Sequence, residues 1–391
     1  MTEQTVLVRV SGPDHPGITA DLMDRLDEAG ARVHDIEQVV VRGRLTLGMV
    51  ISVPEGRDLL KELLLLGWDH GIDVDFEVVE SEEAPRRLGF AVTVLAPDLA
   101  PNQLAAVARS IADAGGNIDR IIRLSSYPVA SYELLVEGAD VPQMREGLML
   151  AAREHRMDLA VQKEGLGRRA KRLVVLDVDS TLIQDEAIEL LAAEAGQLDE
   201  VRALTEEAMA GTLDYETALR QRVKLLAGLD ESAVTAATSK MRLTPGARTF
   251  VRTLRRLGYE IALISGSFTA FTDRLAEELG IGHSHANVLE MVDGRLTGEV
   301  VGPVVDRARK AELLKEIAVS EGIPREQTVA VGDGANDLDM LALAGLGIAF
   351  NARPSVAEAA DAQVSVPYLD AILFLLGITR EEVEAADTED R

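Results

Sequence analysis

"LVVLDVDST", Leu173 to Thr181, opens on four consecutive apolar residues and closes on two carboxylates one residue apart, Asp177 and Asp179. A short unbroken apolar run with β-branched residues suits a strand buried on both faces of a parallel sheet. In open sheets of that kind ligands collect beyond the carboxyl ends of the strands. The two acids therefore stand where chemistry is expected. Alone they read equally well as a solvated, idle turn, and the rest of the chain has to decide.

Two later stretches repeat the pattern. "GYEIALISGSF", from Gly258, predicts a second buried strand ending at Ser265 and Gly266. "TVAVGDGANDLDMLALAG", from Thr328, predicts a third, ending in an acidic, glycine-rich turn with Asp333, Asn336 and Asp337. Between them Lys310 opens the helical pattern "KAELLKEIAVSEG". Strand ends carrying acid, then hydroxyl with glycine, then acid, with one lysine in order, argue against an idle turn.

These motifs resemble the haloacid dehalogenase superfamily of phosphotransferases over about residues 173 to 377. Within it, "DVDSTLIQDE", "TPGA", "SGSF" and "VGDGANDLDML" are similar to the phosphoserine phosphatases. The resemblance implies a doubly wound α/β parallel-sheet core with a helical cap over about 185–243. It also implies Mg²⁺-dependent hydrolysis of O-phospho-L-serine, the last step of serine biosynthesis, through an aspartyl-phosphate on Asp177. A phosphomonoester repels an anionic nucleophile unless cations neutralise its oxygens. Mg²⁺ held by Asp177, Asp333 and the Asp179 backbone carbonyl, together with Lys310, would do so. Asp179 then serves as acid and base, which needs a carboxyl pKa held up by neighbouring charge or burial.

By the same resemblance the Ser265 hydroxyl and Gly266 amide hold phosphoryl oxygens, Asn336 adds a donor, and Asp337 orients Lys310 or a metal-bound water. Glu186 holds the substrate ammonium, Arg222 its carboxylate, and Met209 and Tyr215 line the pocket. Ser267 stands where the family more commonly has Gly, and Tyr215 where it often has Phe. Asp185 reads as an acid complementing a helix start, and Glu189 as cap packing.

The front half contains a duplication. "TVLVRV", a "SGPDHPG" turn and "ITADLMDRLDEAGARV" give strand, turn and helix, and about 85 residues later "FAVTVLAPDLAPNQLAAVARSIADAGG" repeats them. Each copy continues to a βαββαβ order, the α+β ferredoxin-like arrangement, and resembles the ACT domains, which mostly sense amino acids. Glycines in the loop from Gly12 to Gly17 leave amide donors open at a helix start, suited to a ligand carboxylate. Asp14 and Gly17 are the candidate residues for serine as a feedback ligand. The second copy has Pro101 in place of the loop glycine. Expected boundaries are 1–84 and 85–166 for the ACT-like domains and 167–391 for the phosphatase domain. A homodimer is expected because ACT domains usually bind ligand where modules pair.

With 391 residues, 47% of them hydrophobic, the chain suits two or three domains at roughly 150 residues each. A formal charge of -26 argues against nucleic acid, which needs clustered Lys and Arg. The lack of cysteine, of a secretory leader and of a long apolar run points to a cytoplasmic protein without membrane partners. "GLGRRAKR" reads as a linker and "REEVEAADTEDR" as a solvated tail. "NVLEMVDGRLTGEVVG" reads as a structural hairpin around Asp293-Gly294. His283 and His285 read as ordinary loop histidines. Two rivals stay open: action on another small phosphomonoester or an acceptor alcohol, and a serine-sensing regulator whose phosphatase half is idle.

Overall fold

The computed structural model describes residues 4–53, 58–79, 89–209 and 214–389. It divides into two compact units, Met1–Arg86 and Arg87–Arg391. In the first, strands β1 (Gln4–Pro13), β2 (Arg32–Val41), β3 (Arg44–Val53) and β4 (Asp73–Val78) pair antiparallel in the order β2-β3-β1-β4. Alternation in β1 turns Val6, Val8 and Val10 onto helices Ile18–Ala29 and Leu59–His70, where Leu22, Leu26, Leu59 and Leu63 complete the core. Both helices stop at glycines in the left-handed region, Gly30 (φ 70°) and Gly71 (φ 65°), a conformation that costs glycine little. β2 is an edge strand exposed along its length.

The second unit opens with the repeat of that fold: β5 (Phe90–Ala96), β6 (Asn117–Ser125), β7 (Ala130–Glu137) and β8 (Asp158–Lys163), with helices Pro101–Asp113 and Val141–His155. It continues into β9 (Leu173–Leu176), β10 (Glu260–Phe268), β11 (His283–Val292), β12 (Arg295–Val301), β13 (Thr328–Gly332), β14 (Leu346–Phe350) and β15 (Ala362–Val364). β10, β9, β13, β14 and β15 are parallel neighbours in that order. All four residues of β9 have no exposed surface, as its unbroken apolar run predicts. Each such side chain contributes about 1.5–3 kcal/mol of burial.

The two sheets of this unit are one. β15 meets β8 antiparallel at Ala362 and Ala160, giving an 11-stranded sheet in the order β12-β11-β10-β9-β13-β14-β15-β8-β5-β7-β6. Asp158 secures the join, its Oδ2 accepting from Ser365 N (2.6 Å) and Oγ (3.0 Å). Gln162 Nε2 adds a bond to the Leu375 carbonyl at 2.7 Å.

The stretch read as a linker is instead docked. Arg168 is 7% exposed, ion-paired with buried Glu133 and, at 3.3 Å, with Glu164. The acidic tail likewise departs from the solvated expectation. Arg380–Glu389 is a helix whose Val383 enters the core and whose Asp387 pairs with Arg252 and Arg256. Arg380 with Asp370 at 3.2 Å and Glu381 with Arg123 at 3.4 Å tie it down further. Between β9 and β10, helices Ala187–Ala195, Leu198–Met209, Tyr215–Lys224 and Glu231–Ser239 form the cap. The β11–β12 hairpin turns at Asp293 (φ 48°) and Gly294 (φ 75°) and braces the cap through Leu296 and Val300. Among the described residues no helix is long and apolar enough to cross a membrane.

Candidate active site

After Asp177 the chain makes one wide turn, Val178–Leu182, with Ser180 in the left-handed region at φ 55°. A non-glycine residue held there marks local strain, which collects at functional sites. The turn sets Asp177 and Asp179 at the floor of a cavity of about 560 Å³ between the sheet ends and the cap. Ser265 and Gly266 from β10, Asp333 and Asn336 after β13, and Glu186, Tyr215 and Arg222 from the cap side also line it. Met209 ends a cap helix, and its side chain lies outside the described residues.

Lys310 does not line the cavity. It lies fully buried behind it, donating to Asp337 Oδ1 at 2.7 Å and contacting Asp177 Oδ1 at 2.8 Å. Burial alone would lower its pKa, but the two carboxylates outweigh it and raise it, so Lys310 keeps its charge. Asp337 has both oxygens engaged, the second by Gly334 N at 3.0 Å.

Carboxyl groups of Asp177, Asp333 and Asp337 can each bring one oxygen within 4.8 Å of the others. Burial foremost, then Asp337, pushes the Asp177 carboxyl well above its usual range, against Lys310. Asp333 is pushed up to about 7 by burial and by Asp337. Asp177 Oδ1 is buried and paired with the Lys310 ammonium at 2.8 Å. Among the described residues Asp333 accepts a single long bond, 3.4 Å from Thr181 Oγ1. Three crowded carboxylates that outnumber their lysine fit a hard divalent cation such as Mg²⁺. Asp177 and Asp333 have oxygens to offer it, and Asp337 does not.

Asp179 lines the cavity, and burial foremost, then Glu186, pushes its carboxyl up to about 8. Ala187 N donates to its Oδ1 at 3.2 Å. Glu186 faces the cavity mouth, bonded to Ser180 Oγ at 2.7 Å, and its surroundings still raise its carboxyl through desolvation. Arg222 is fixed by Ala218 O and Thr205 Oγ1, both at 3.2 Å, leaving guanidinium donors toward the cavity.

The β10 loop is clamped from two sides. Tyr215 Oη donates to the Gly266 carbonyl at 3.2 Å, and Asn287 Nδ2 does so at 2.8 Å. A Cβ on Gly266 would meet Tyr215 Oη at 2.2 Å and push the tyrosine tip off this carbonyl. The tyrosine tip that departs from the resembled family thus has a partner.

Sequence reading missed Asn287, which sits on the hairpin assigned a structural role. It also missed Arg353 and Ser355, which reach the cavity from the turn after β14. The rule that ligands gather at parallel strand ends would have found them at this fourth strand. Asp185 is not simply a helix-start acid: it accepts from Arg242 N (2.8 Å) and Nη2 (2.6 Å), closing the base of the cap. His283 and His285 lie on β11 and not in a loop, and His283 Nε2 is 3.0 Å from Glu321 Oε1, with Glu260 beside them.

In the first unit Gly17 (φ 105°) precedes the helix Ile18–Ala29 with no side-chain cap, so its first amides stay open. Asp14 N is bonded to Gly43 O at 2.9 Å. In the repeat, Gln103 Oε1 already accepts from Ala100 N at 2.8 Å.

The chain resembles known proteins along its length. Residues 174–342 match the haloacid dehalogenase-like hydrolases, and 4–77 and 89–162 match ACT domains. The chain is 53% identical to a phosphoserine phosphatase of Streptomyces coelicolor, over 98% of this chain and 95% of that one. It is 47% identical to phosphoserine phosphatase SerB2 of Mycobacterium tuberculosis, over 99% and 96%. A solved phospho-aspartyl intermediate analogue of phosphoserine phosphatase aligns at TM-score 0.50 and 44% identity, over 52% of this chain and 98% of that one. The chain belongs to the phosphoserine phosphatases of the haloacid dehalogenase-like hydrolases, with two ACT domains ahead of the hydrolase domain.

Proposed function

We propose that this chain hydrolyses O-phospho-L-serine to L-serine and phosphate, with Asp177 as nucleophile. The observation that carries the reading is the pairing at the cavity floor. Asp177 lines the cavity with one oxygen ion-paired to Lys310 at 2.8 Å, and Asp179, two residues on, lines it with a carboxyl that burial and Glu186 push up to about 8. Mg²⁺ held by Asp177, Asp333 and the Asp179 carbonyl would supply positive charge against the phosphoryl oxygens.

An Asp177 oxygen attacks phosphorus, the bond from phosphorus to the seryl oxygen breaks, and Asp179 gives its proton to that oxygen. Asp179 then takes a proton from water, whose oxygen attacks the acyl phosphate and releases phosphate and the Asp177 carboxylate. Lys310 holds Asp177 in place with a permanent charge. Ser265, the Gly266 amide and Asn336 hold phosphoryl oxygens. Glu186 takes the substrate ammonium and Arg222 its carboxylate, with Tyr215 and Met209 lining the pocket. The cap shuts out water while the acyl phosphate exists.

The open amides after Gly17, beside Asp14, support serine as a feedback ligand of the first ACT domain. The exposed apolar edge of β2, with Val33, Ile36, Val39, Val40 and Val41 in solvent, supports a homodimer formed there. Phosphate release from phosphoserine beside phosphothreonine, phosphoethanolamine and glycerol phosphate, with Mg²⁺ or chelator, tests the substrate assignment. Selective, Mg²⁺-dependent release supports it, and equal release from every ester refutes it. Serine titration of turnover and sedimentation of the full chain test the other two assignments.

A further inference from the structure

A second cavity, of about 330 Å³, lies between the helix Val141–His155 of the second ACT domain and the helix Pro354–Ala359 of the hydrolase domain. That is near the lower end of the range, roughly 300–1,000 Å³, that encloses small molecules. Its walls are mostly apolar: Leu148, Met157, Leu159 and Val161 on one side, Pro354 and Ala357 on the other. Most of its charged groups are engaged. Arg153 pairs with Glu358 at 2.7 Å, and Asp361 Oδ2 accepts from Gly347 N at 2.9 Å.

Arg145 differs. It donates to the Val161 carbonyl at 2.8 Å, which fixes it on the wall, and it has no ion-pair partner among the described residues. A guanidinium carries five N–H donors in a planar fork, so most of its capacity remains for a ligand. An apolar chamber with one anchored guanidinium whose donors are not taken up by an ion pair, and whose nearby carboxylate Asp361 is turned onto a backbone amide, suits an anion that brings an apolar body.

The cavity also shares a wall with the active site. Over six consecutive residues, Ala352, Pro354 and Ala357 line this cavity while Arg353, Ser355 and Val356 line the other. We propose that the cavity binds a small carboxylate with an aliphatic or aromatic body, its carboxylate on Arg145. Occupancy then shifts the Pro354–Ala359 helix and, with it, Arg353 and Ser355 at the substrate cavity.

The test is calorimetry on the full chain with hexanoate and 4-phenylbutyrate, beside hexanamide and hexylamine, followed by kcat and KM for phosphoserine at saturating ligand. The carboxylates should bind saturably and at least about tenfold tighter than the amide or amine. Arg145→Leu should weaken binding about tenfold, Arg145→Lys should retain most of it, and Ala152→Phe, which fills the chamber, should abolish it. Arg145→Leu and Arg145→Lys keep the turnover of the unliganded protein, because neither touches substrate. KM should move at least about twofold when the site is filled. Equal binding of amide and carboxylate, no saturable binding, or binding indifferent to Arg145→Leu and Ala152→Phe overturns the site. Saturation with kcat and KM both unchanged overturns the coupling. The binding arm holds whatever ester proves to be the substrate, so its failure is separate from failure of the substrate assignment.

Discussion

Lys310 Nζ donates to Asp337 Oδ1 at 2.7 Å, and neither side chain has any exposed surface. This ion pair, which also contacts Asp177 at 2.8 Å, sets the electrostatics beneath the cavity floor. Asp337 is itself held by the Gly334 amide, and a Cβ on Gly332 would lie 2.4 Å from its Cγ. Lys310 is thus aimed at Asp177 by a carboxylate with no freedom to move.

Replacing Asp337 by Asn keeps the shape and removes the charge. Turnover should fall about 10- to 100-fold, the usual loss when a group orienting a site residue is removed. Gly332→Ala should lower kcat in the same direction by displacing Asp337. Steady-state kinetics on both variants is the check, with circular dichroism to confirm folding. Unchanged kcat in both would remove the positioning role.

Arg222 faces the substrate cavity with no carboxylate bonded to it among the described residues, and burial lowers its pKa from the ordinary arginine value. Arg222→Ala should raise KM for phosphoserine about 10- to 100-fold, the loss of a charge-assisted, forked contact. KM for phosphoethanolamine, which lacks the carboxylate, should stay within about twofold. An equal rise for both esters would place Arg222 in cap packing and not in recognition.

Arg168 and Glu133 form an ion pair with side chains 4% and 7% exposed. Arg168→Ala should cost about 3–5 kcal/mol because it strands a buried charge, while Arg168→Met with Glu133→Leu should recover most of that loss. Denaturant unfolding of the two variants measures the difference, and turnover per folded molecule should not change in either.

Asp158 is pushed up to about 6 by burial, against the two bonds from Ser365. Its folded pKa lies above the unfolded value, so between about pH 4 and 6 the folded state binds the proton more tightly. Stability from this group is therefore greatest at the acid end of that window, falls as pH rises through it, and is level above about 6. Asp158→Asn should remove a decline of about 3 kcal/mol across the window. Chemical unfolding at pH 4, 5, 6 and 7 compares the slopes, and identical slopes in wild type and variant would contradict the assignment.

The catalytic half was legible because its strands are buried on both faces. Leu173–Leu176 and Thr328–Val331 carry no surface alternation, and the acids that follow them break an otherwise apolar text. The joining of the two sheets was not legible. Ala362 and Ala160 pair through backbone groups, and an edge that accepts another strand leaves no side-chain signature. Asn287 escaped because a polar residue on a hairpin is ordinarily solvated, and only tertiary placement brings its amide to the Gly266 carbonyl. The acidic tail docks through one apolar side chain, Val383, and ion pairs such as Asp387 with Arg252 and Arg256, and a single apolar residue among carboxylates is too sparse a pattern to mark a buried face.

The central claim is that phosphate passes through Asp177. Rapid acid quench of the Mg²⁺-loaded protein with ³²P-labelled phosphoserine, followed by proteolysis and mass spectrometry, tests it most directly. The account predicts a hydroxylamine-labile label on the peptide carrying Asp177, formed and lost at rates consistent with turnover and absent in Asp177→Asn. Label on another residue, or full turnover in Asp177→Asn, would contradict it.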